Sequence, residues 1–159
     1  MEKNTRTISY EILSPAELSA DERLLVERAK EATKTSYSPY SHFSVGAAVR
    51  MANGEIFSGS NQENASFTTG TCAERTTVFY ATAKYPGVGI EAIAIAAKKA
   101  DGTFTGEPIS PCGACRQVLA EIEHRFGKPY TVLLYGEKGI YRLGAMADLL
   151  PFQFNGDSM

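Results

Sequence analysis

A chain of 159 residues fits one domain, which can bury roughly 70% of the surface its unfolded form exposes, so no disulfide scaffold is needed. Its formal charge of −2 and pI near 5.7 argue against a polynucleotide partner, which calls for a basic face, and no apolar run approaches the roughly 20 residues that cross a bilayer. An odd count of three cysteines, behind an opening MEKNTRTISYE that lacks the basic and apolar segments of a secretory signal, points to a soluble protein of the reducing cytoplasm.

The first dozen residues, MEKNTRTISYEI, carry no helical period and read as an extended or frayed arm. Residues 1–20 are therefore set apart as an N-terminal extension, and 21–159 as a single domain. Ser14-Pro15 marks a helix start, with Ser14 as cap, Pro15 at the first position and Glu17 three residues after the cap. From Leu18 to about Thr35, Leu18, Leu25, Ala29 and Ala32 fall near one face of an amphipathic helix, which SYSPYSHF ends at Pro39. FSVGAAV and EIFSG, joined through Asn53-Gly54, predict a β-hairpin.

A second helix is expected from Cys72 to about Lys84, stopped by YPGVG, and IEAIAIAA reads as a buried strand. Cys112 to Phe126 returns to helical period through Ala114, Val118, Ile122 and Phe126, ended by Gly127. YTVLLYG and GIYRLG are short closing strands, and AMADLLPFQF is a brief helix ended by Pro151. This order predicts a three-layer α/β/α fold with a mixed sheet of about five strands.

Cys112 and Cys115, in SPCGACRQVLAE, lie one turn apart at a helix start, so both sulfurs can face one object; Cys72 opens another helix. A helix N-terminus carries about half a positive charge, which favours thiolate, the form that binds metal. Three thiolates fill three corners of a zinc tetrahedron, and the missing fourth cysteine leaves a corner for water. Three other readings stand beside this one: a redox pair, which would not need Cys72; a structural zinc site with His42 as fourth ligand; and buried cysteines with no joint role.

Glu74, two positions after Cys72, can reach a water bound to such a metal, take its proton and pass it on; alternatively it only complements the helix dipole. Three thiolates on Zn²⁺ leave a formal charge of −1, a poor electrophile. Arg75 and Arg116 beside the ligands are candidates to offset it by hydrogen bonds to sulfur, unless they are surface charges.

C-A-E-R followed about forty residues later by P-C-x-x-C resembles the zinc nucleoside and nucleobase deaminases, in their three-cysteine variant. SPYSHFSVGAAV (38–49), NQENASF (61–67), CAERT (72–76), SPCGACRQVLAE (110–121) and DLLPFQF (148–154) are similar, in order, to the cytidine deaminase family. The resemblance implies a cytidine deaminase-like fold with one zinc per subunit on Cys72, Cys112 and Cys115, and Glu74 as proton shuttle. It further implies that Asn61 and Glu63 hydrogen-bond the sugar, that Phe43 packs on the pyrimidine and that the Ala73 backbone contacts the base. Asn61 and Glu63 alternate along an extended stretch and so share a side, although polar turn chemistry would also explain them.

The implied reaction is hydrolytic deamination of cytidine or deoxycytidine by zinc-bound hydroxide, in pyrimidine salvage. Phe67 stands where the family commonly has Tyr, a change that bears on selectivity between ribose and deoxyribose or on a modified nucleoside, unless Phe67 serves simple packing. The resemblance implies that Phe67 and Phe154 reach a neighbouring subunit's site in a homotetramer, with neither nucleic acid nor membrane as partner. A deaminase of modified or blasticidin-like nucleosides, a polynucleotide deaminase, which would usually show H-A-E and need a basic channel, and a non-enzymatic zinc-stabilised module are the alternatives.

Overall fold

A computed structural model describes residues 1–159. Six strands make one mixed sheet: β1 (Glu11–Leu13), β2 (Ser44–Met51), β3 (Ile56–Ser60), β4 (Ile90–Lys98), β5 (Thr131–Gly136) and β6 (Gly139–Leu143). Three helices cover it: α1 (Ala20–Ala32), α2 (Ala73–Lys84) and α3 (Gly113–Phe126). The strand order is β1-β6-β5-β4-β2-β3, with β4 and β5 parallel and every other neighbouring pair antiparallel. The architecture is the expected three-layer α/β/α arrangement, with six strands where about five were expected.

The additional strand is β1, inside the stretch read as an extended arm. Ile12 pairs with Tyr141 of β6, the Tyr10 and Tyr141 rings lie 5.2 Å apart, and the Arg142 guanidinium bonds both Glu11 (2.5 Å) and Glu22 (3.0 Å). Arg6 reaches the far end of the chain, donating to the Pro151 (2.6 Å) and Ala147 (3.3 Å) carbonyls.

The expected first helix divides in two. Glu17 accepts from the Ser14 backbone and hydroxyl, but Pro15–Glu17 forms only a 3-10 turn. Ser19 then caps α1 proper: its hydroxyl accepts from the Glu22 amide while the Glu22 carboxylate accepts from the Ser19 amide, a reciprocal capping box. Gly54, at φ +86°, makes the turn beside the β2–β3 hairpin, and Gly127, at φ +61°, ends α3 in the left-handed conformation. The last expected helix is a 3-10 turn, Met146–Asp148.

Strand alternation divides the core into two layers. Ala47, Val49, Ile93, Ile95, Val132 and Leu134 face α2 and α3, packing with Val78, Ala81, Leu119 and Ile122. Ala48, Ala94, Ala96 and Leu133 face Leu25, Val26 and Ala29 of α1. Small residues on this second face let α1 lie close. A Cβ on Gly46 would stand 2.1 Å from the Ala29 carbonyl oxygen. The other face brings the N-termini of α2 and α3 together, which is where the cysteines are.

Candidate metal centre and nucleoside cleft

Cys72 and Cys112 are the N-cap residues of α2 and α3, both in extended backbone, and each carbonyl accepts the first helical bond, from Thr76 and Arg116 respectively. Cys115 sits in the first turn of α3 and is fully buried. The three sulfurs lie within 4.8 Å of one another, with Cys72 and Cys112 at 3.8 Å. Zinc–sulfur bonds of about 2.3 Å at a tetrahedral angle separate sulfurs by about 3.8 Å, so the spacing and the donor chemistry fit zinc. The Cys72 thiol is drawn down to about 5, first by its bond with Cys115 and then by the Arg75 guanidinium; Cys115 is pushed well up by that same bond and by burial. A metal would replace the remaining thiol protons.

His42 does not join the cluster. It is exposed, at φ +54°, in the loop before β2. His124 stands in the last turn of α3, 3.8 Å from Asp157. Neither supplies the fourth ligand of a closed structural site. A redox pair would leave Cys72 without a part, yet Cys72 is the sulfur that touches Cys112.

Glu74 occupies the second position of α2 and is only 3% exposed. Burial pushes its carboxyl above the ordinary range, and the negative Cys72 sulfur adds to this. Arg75 donates from Nη2 to the Cys72 Sγ at 3.5 Å, whereas its buried Nε has no partner. Arg116 behaves differently from the expectation: Nε donates to the Pro111 carbonyl (2.9 Å) and Nη1 to the Leu149 carbonyl (3.1 Å), and it bonds no sulfur. Side-chain direction in the first turn of α3 carries the guanidinium along the helix end toward the C-terminal turn, so Arg116 braces the loop before Cys112.

A cleft of about 490 Å³ opens beside Cys72 and Arg75, lined also by Asn61, Glu63 and Phe67. Asn61 is held on three sides: its Oδ1 accepts from the Ser36 hydroxyl (2.6 Å) and the Val45 amide (2.8 Å), and its Nδ2 donates to the Phe43 carbonyl (2.9 Å). One amide hydrogen remains for a ligand. Glu63 accepts from the Tyr40 amide (2.9 Å), the Ser41 amide (3.3 Å) and the Ser41 hydroxyl; the last bond chiefly holds its carboxyl below the usual range. Phe67 is 79% exposed at the rim, with its ring edge-on to Tyr40 at 5.7 Å. Phe43 is half-buried and Ala73 fully buried at the start of α2. Phe154 lies elsewhere, over the outer faces of α2 and α3, where Gln117 donates to its carbonyl at 2.7 Å. Within one subunit the cleft and Phe154 do not meet.

Several lining residues escaped the sequence reading: Tyr40, Ser41, Gln62, Asn64, Gly70 and Thr71. Gln62 explains why these segments converge, since it bridges to Tyr37 on one side and Thr71 on the other. The only signal was the density of Ser, Asn and Tyr within the two stretches.

Three protein sulfurs on one ion leave a position for water, and a carboxyl beside them can take that water's proton, so the fold presents a zinc-hydrolase type of site. A family model described as the cytidine and deoxycytidylate deaminase zinc-binding region matches residues 19–127, a span holding all three cysteines and Glu74. A cytidine deaminase of Halalkalibacterium halodurans is 39% identical over 139 residues, covering 87% of this chain and 98% of that protein. One of Sporosarcina psychrophila is 37% identical over 139 residues, covering 87% and 95%. The crystal structure of cytidine deaminase from Burkholderia pseudomallei, 41% identical, matches with a TM-score of 0.69 over 82% of this chain and 97% of that one. The chain belongs to the cytidine and deoxycytidylate deaminase family of zinc enzymes.

Proposed function

We propose that the protein hydrolyses the C4 amine of cytidine and deoxycytidine, releasing ammonia and leaving uridine or deoxyuridine. The observation that carries this reading is the buried Glu74 carboxyl one residue beyond the start of α2, beside three convergent sulfurs and an open polar cleft. Zinc held by Cys72, Cys112 and Cys115 supplies Lewis acidity that lowers the pKa of a water toward neutrality. Glu74 takes the proton of the attacking water and delivers it to N3 of the base, then carries a second proton to the departing amine. Its raised affinity for protons suits a group that must give them back.

Arg75 offsets the charge of three thiolates through its bond to Cys72, and the positive ends of α2 and α3 add to it. Asn61 offers its remaining amide hydrogen, and Glu63 a carboxylate acceptor, to the sugar hydroxyls. Phe43 packs on the pyrimidine and the Ala73 backbone contacts its edge. Homotetramer formation fits the strongly exposed aromatics Phe67, Phe152 and Phe154, with Phe154 meeting a neighbour's cleft. Residues 21–159 form the catalytic domain and 1–20 its extension. Three free thiols suit a reducing cytoplasm, and no helix is long and apolar enough to cross a membrane; pyrimidine salvage is the setting in which such a product is used.

Ammonia release from the zinc-loaded protein against cytosine, cytidine, deoxycytidine and their 5′-nucleotides tests the assignment. Release is expected from the two nucleosides. Release from none of the compounds would overturn it, and release from cytosine or a nucleotide alone would move the substrate.

A further inference from the structure

Glu63 does not find its position unaided. The loop Ser38–Phe43 folds around it: the His42 amide donates to the Ser38 carbonyl at 3.0 Å, and His42 itself adopts φ +54°, a left-handed conformation uncommon outside glycine. This reversal turns two successive amides, Tyr40 and Ser41, onto Glu63 Oε2. The Ser41 hydroxyl closes the clasp. Its Oγ accepts from the Phe43 amide at 3.1 Å, which leaves its own proton for Glu63 Oε1.

We propose that Ser41 is a positioning residue for sugar recognition: it locks the Glu63 carboxylate in the one rotamer that presents it to the nucleoside. The proposal rests on the nucleoside reading given above. A carboxylate has about four acceptor sites. Two on Oε2 and one on Oε1 are taken by the loop, so the clasp leaves a single site on Oε1 for a sugar hydroxyl. The bonds are charge-assisted and hold the group ionised, hence acceptor-only, which selects a hydroxyl donor and disfavours a phosphate at that point. Ser41 touches no reacting atom. Its removal therefore weakens binding of the sugar and leaves proton transfer at the base intact.

The test compares Ser41→Ala and Ser41→Thr, each with Glu63 intact and with Glu63→Gln, by cytidine turnover and by calorimetric binding of uridine. Ser41→Ala is expected to raise KM for cytidine and Kd for uridine about tenfold, the loss of one charge-assisted bond, with kcat changed less than about twofold. Ser41→Thr, which keeps the hydroxyl, should recover most of the loss. In the Glu63→Gln background Ser41→Ala should add less than about twofold, because the two act through one contact. Constant KM and Kd in Ser41→Ala, or equal penalties in both backgrounds, would overturn the inference while turnover of cytidine stands. The expected pattern in uridine binding without any turnover would uphold Ser41 and overturn the deaminase reading. Failure of the wild-type protein to bind uridine would overturn both.

Discussion

Replacing Glu74 by Gln isolates the chemistry from the architecture. The two side chains are nearly the same size, and Glu74 is 3% exposed among the cysteines, so the amide fills the same space without opening a cavity. The metal ligands are untouched. Burial already raises the Glu74 carboxyl, meaning that its charged form is disfavoured in the fold; a neutral amide removes that cost and should not lower stability at neutral pH. What disappears is proton transfer. General acid–base catalysis contributes roughly 10²- to 10⁴-fold, or about 3 to 5 kcal/mol of barrier. In the proposed mechanism Glu74 serves two transfers, at N3 and at the leaving amine, so the upper end of that range is expected. Ammonia release at saturating cytidine should fall about 10⁴-fold in Glu74→Gln, with metal content by atomic emission remaining at one zinc per chain and the thermal midpoint no lower than wild type. Turnover within tenfold of wild type, with zinc retained, would refute the shuttle.

The remaining expectations concern metal, packing and pH. Zinc uptake should release thiol protons, since Cys115 holds its proton well above the ordinary range; a competition titration at pH 6 and pH 8 should show weaker binding at pH 6, and equal affinities would argue against thiolate ligation. Gly46→Ala places a methyl 2.1 Å from the Ala29 carbonyl and 2.7 Å from the Thr33 amide, backbone atoms that yield only if α1 moves; a loss of about 1–3 kcal/mol follows, lowering the melting temperature by at least about 3 °C. Unchanged melting would mean that α1 sits further from β2. Arg142 lowers the Glu11 carboxyl chiefly by its hydrogen bond, while at Glu22 burial works against the Ser19 and Arg142 bonds that outweigh it. Folded carboxyls depressed in this way add stability above their unfolded value of about 4.3 and lose it as pH falls through the folded values. Arg142→Met should therefore flatten the acid side of a plot of melting temperature between pH 6 and 3, and an unaltered slope would sink that account.

The sequence was most informative where a local rule decides structure. Asn53-Gly54 announced its hairpin, and Gly127 the end of α3, because positive φ at a named position leaves few alternatives. Ser14-Pro15 misled because a second cap, Ser19 with Glu22, lies five residues on and governs the longer helix. β1 escaped because Glu-Ile-Leu is too short for alternation, and its partner β6 lies about 130 residues away. The three cysteines were legible by spacing and helix-start context. Arg116 was not, since adjacency to Cys115 says nothing about which carbonyls a long guanidinium will reach. Phe67 and Phe154, which the family resemblance assigns to one shared site, stand on separate surfaces of the chain, a separation that the order of residues does not reveal.

The short N-terminal strand also changes what the sheet shows to other chains. Without it, the five residues of β6 would present an unpaired row of backbone donors and acceptors, a template for another strand. With it, the exposed edge shrinks to three residues. That edge carries a charged Glu11 and gives way two residues later to Pro15, which has no amide hydrogen to donate. The arm that lies outside the matched family region thus blunts one end of the sheet against edge-to-edge pairing with another chain.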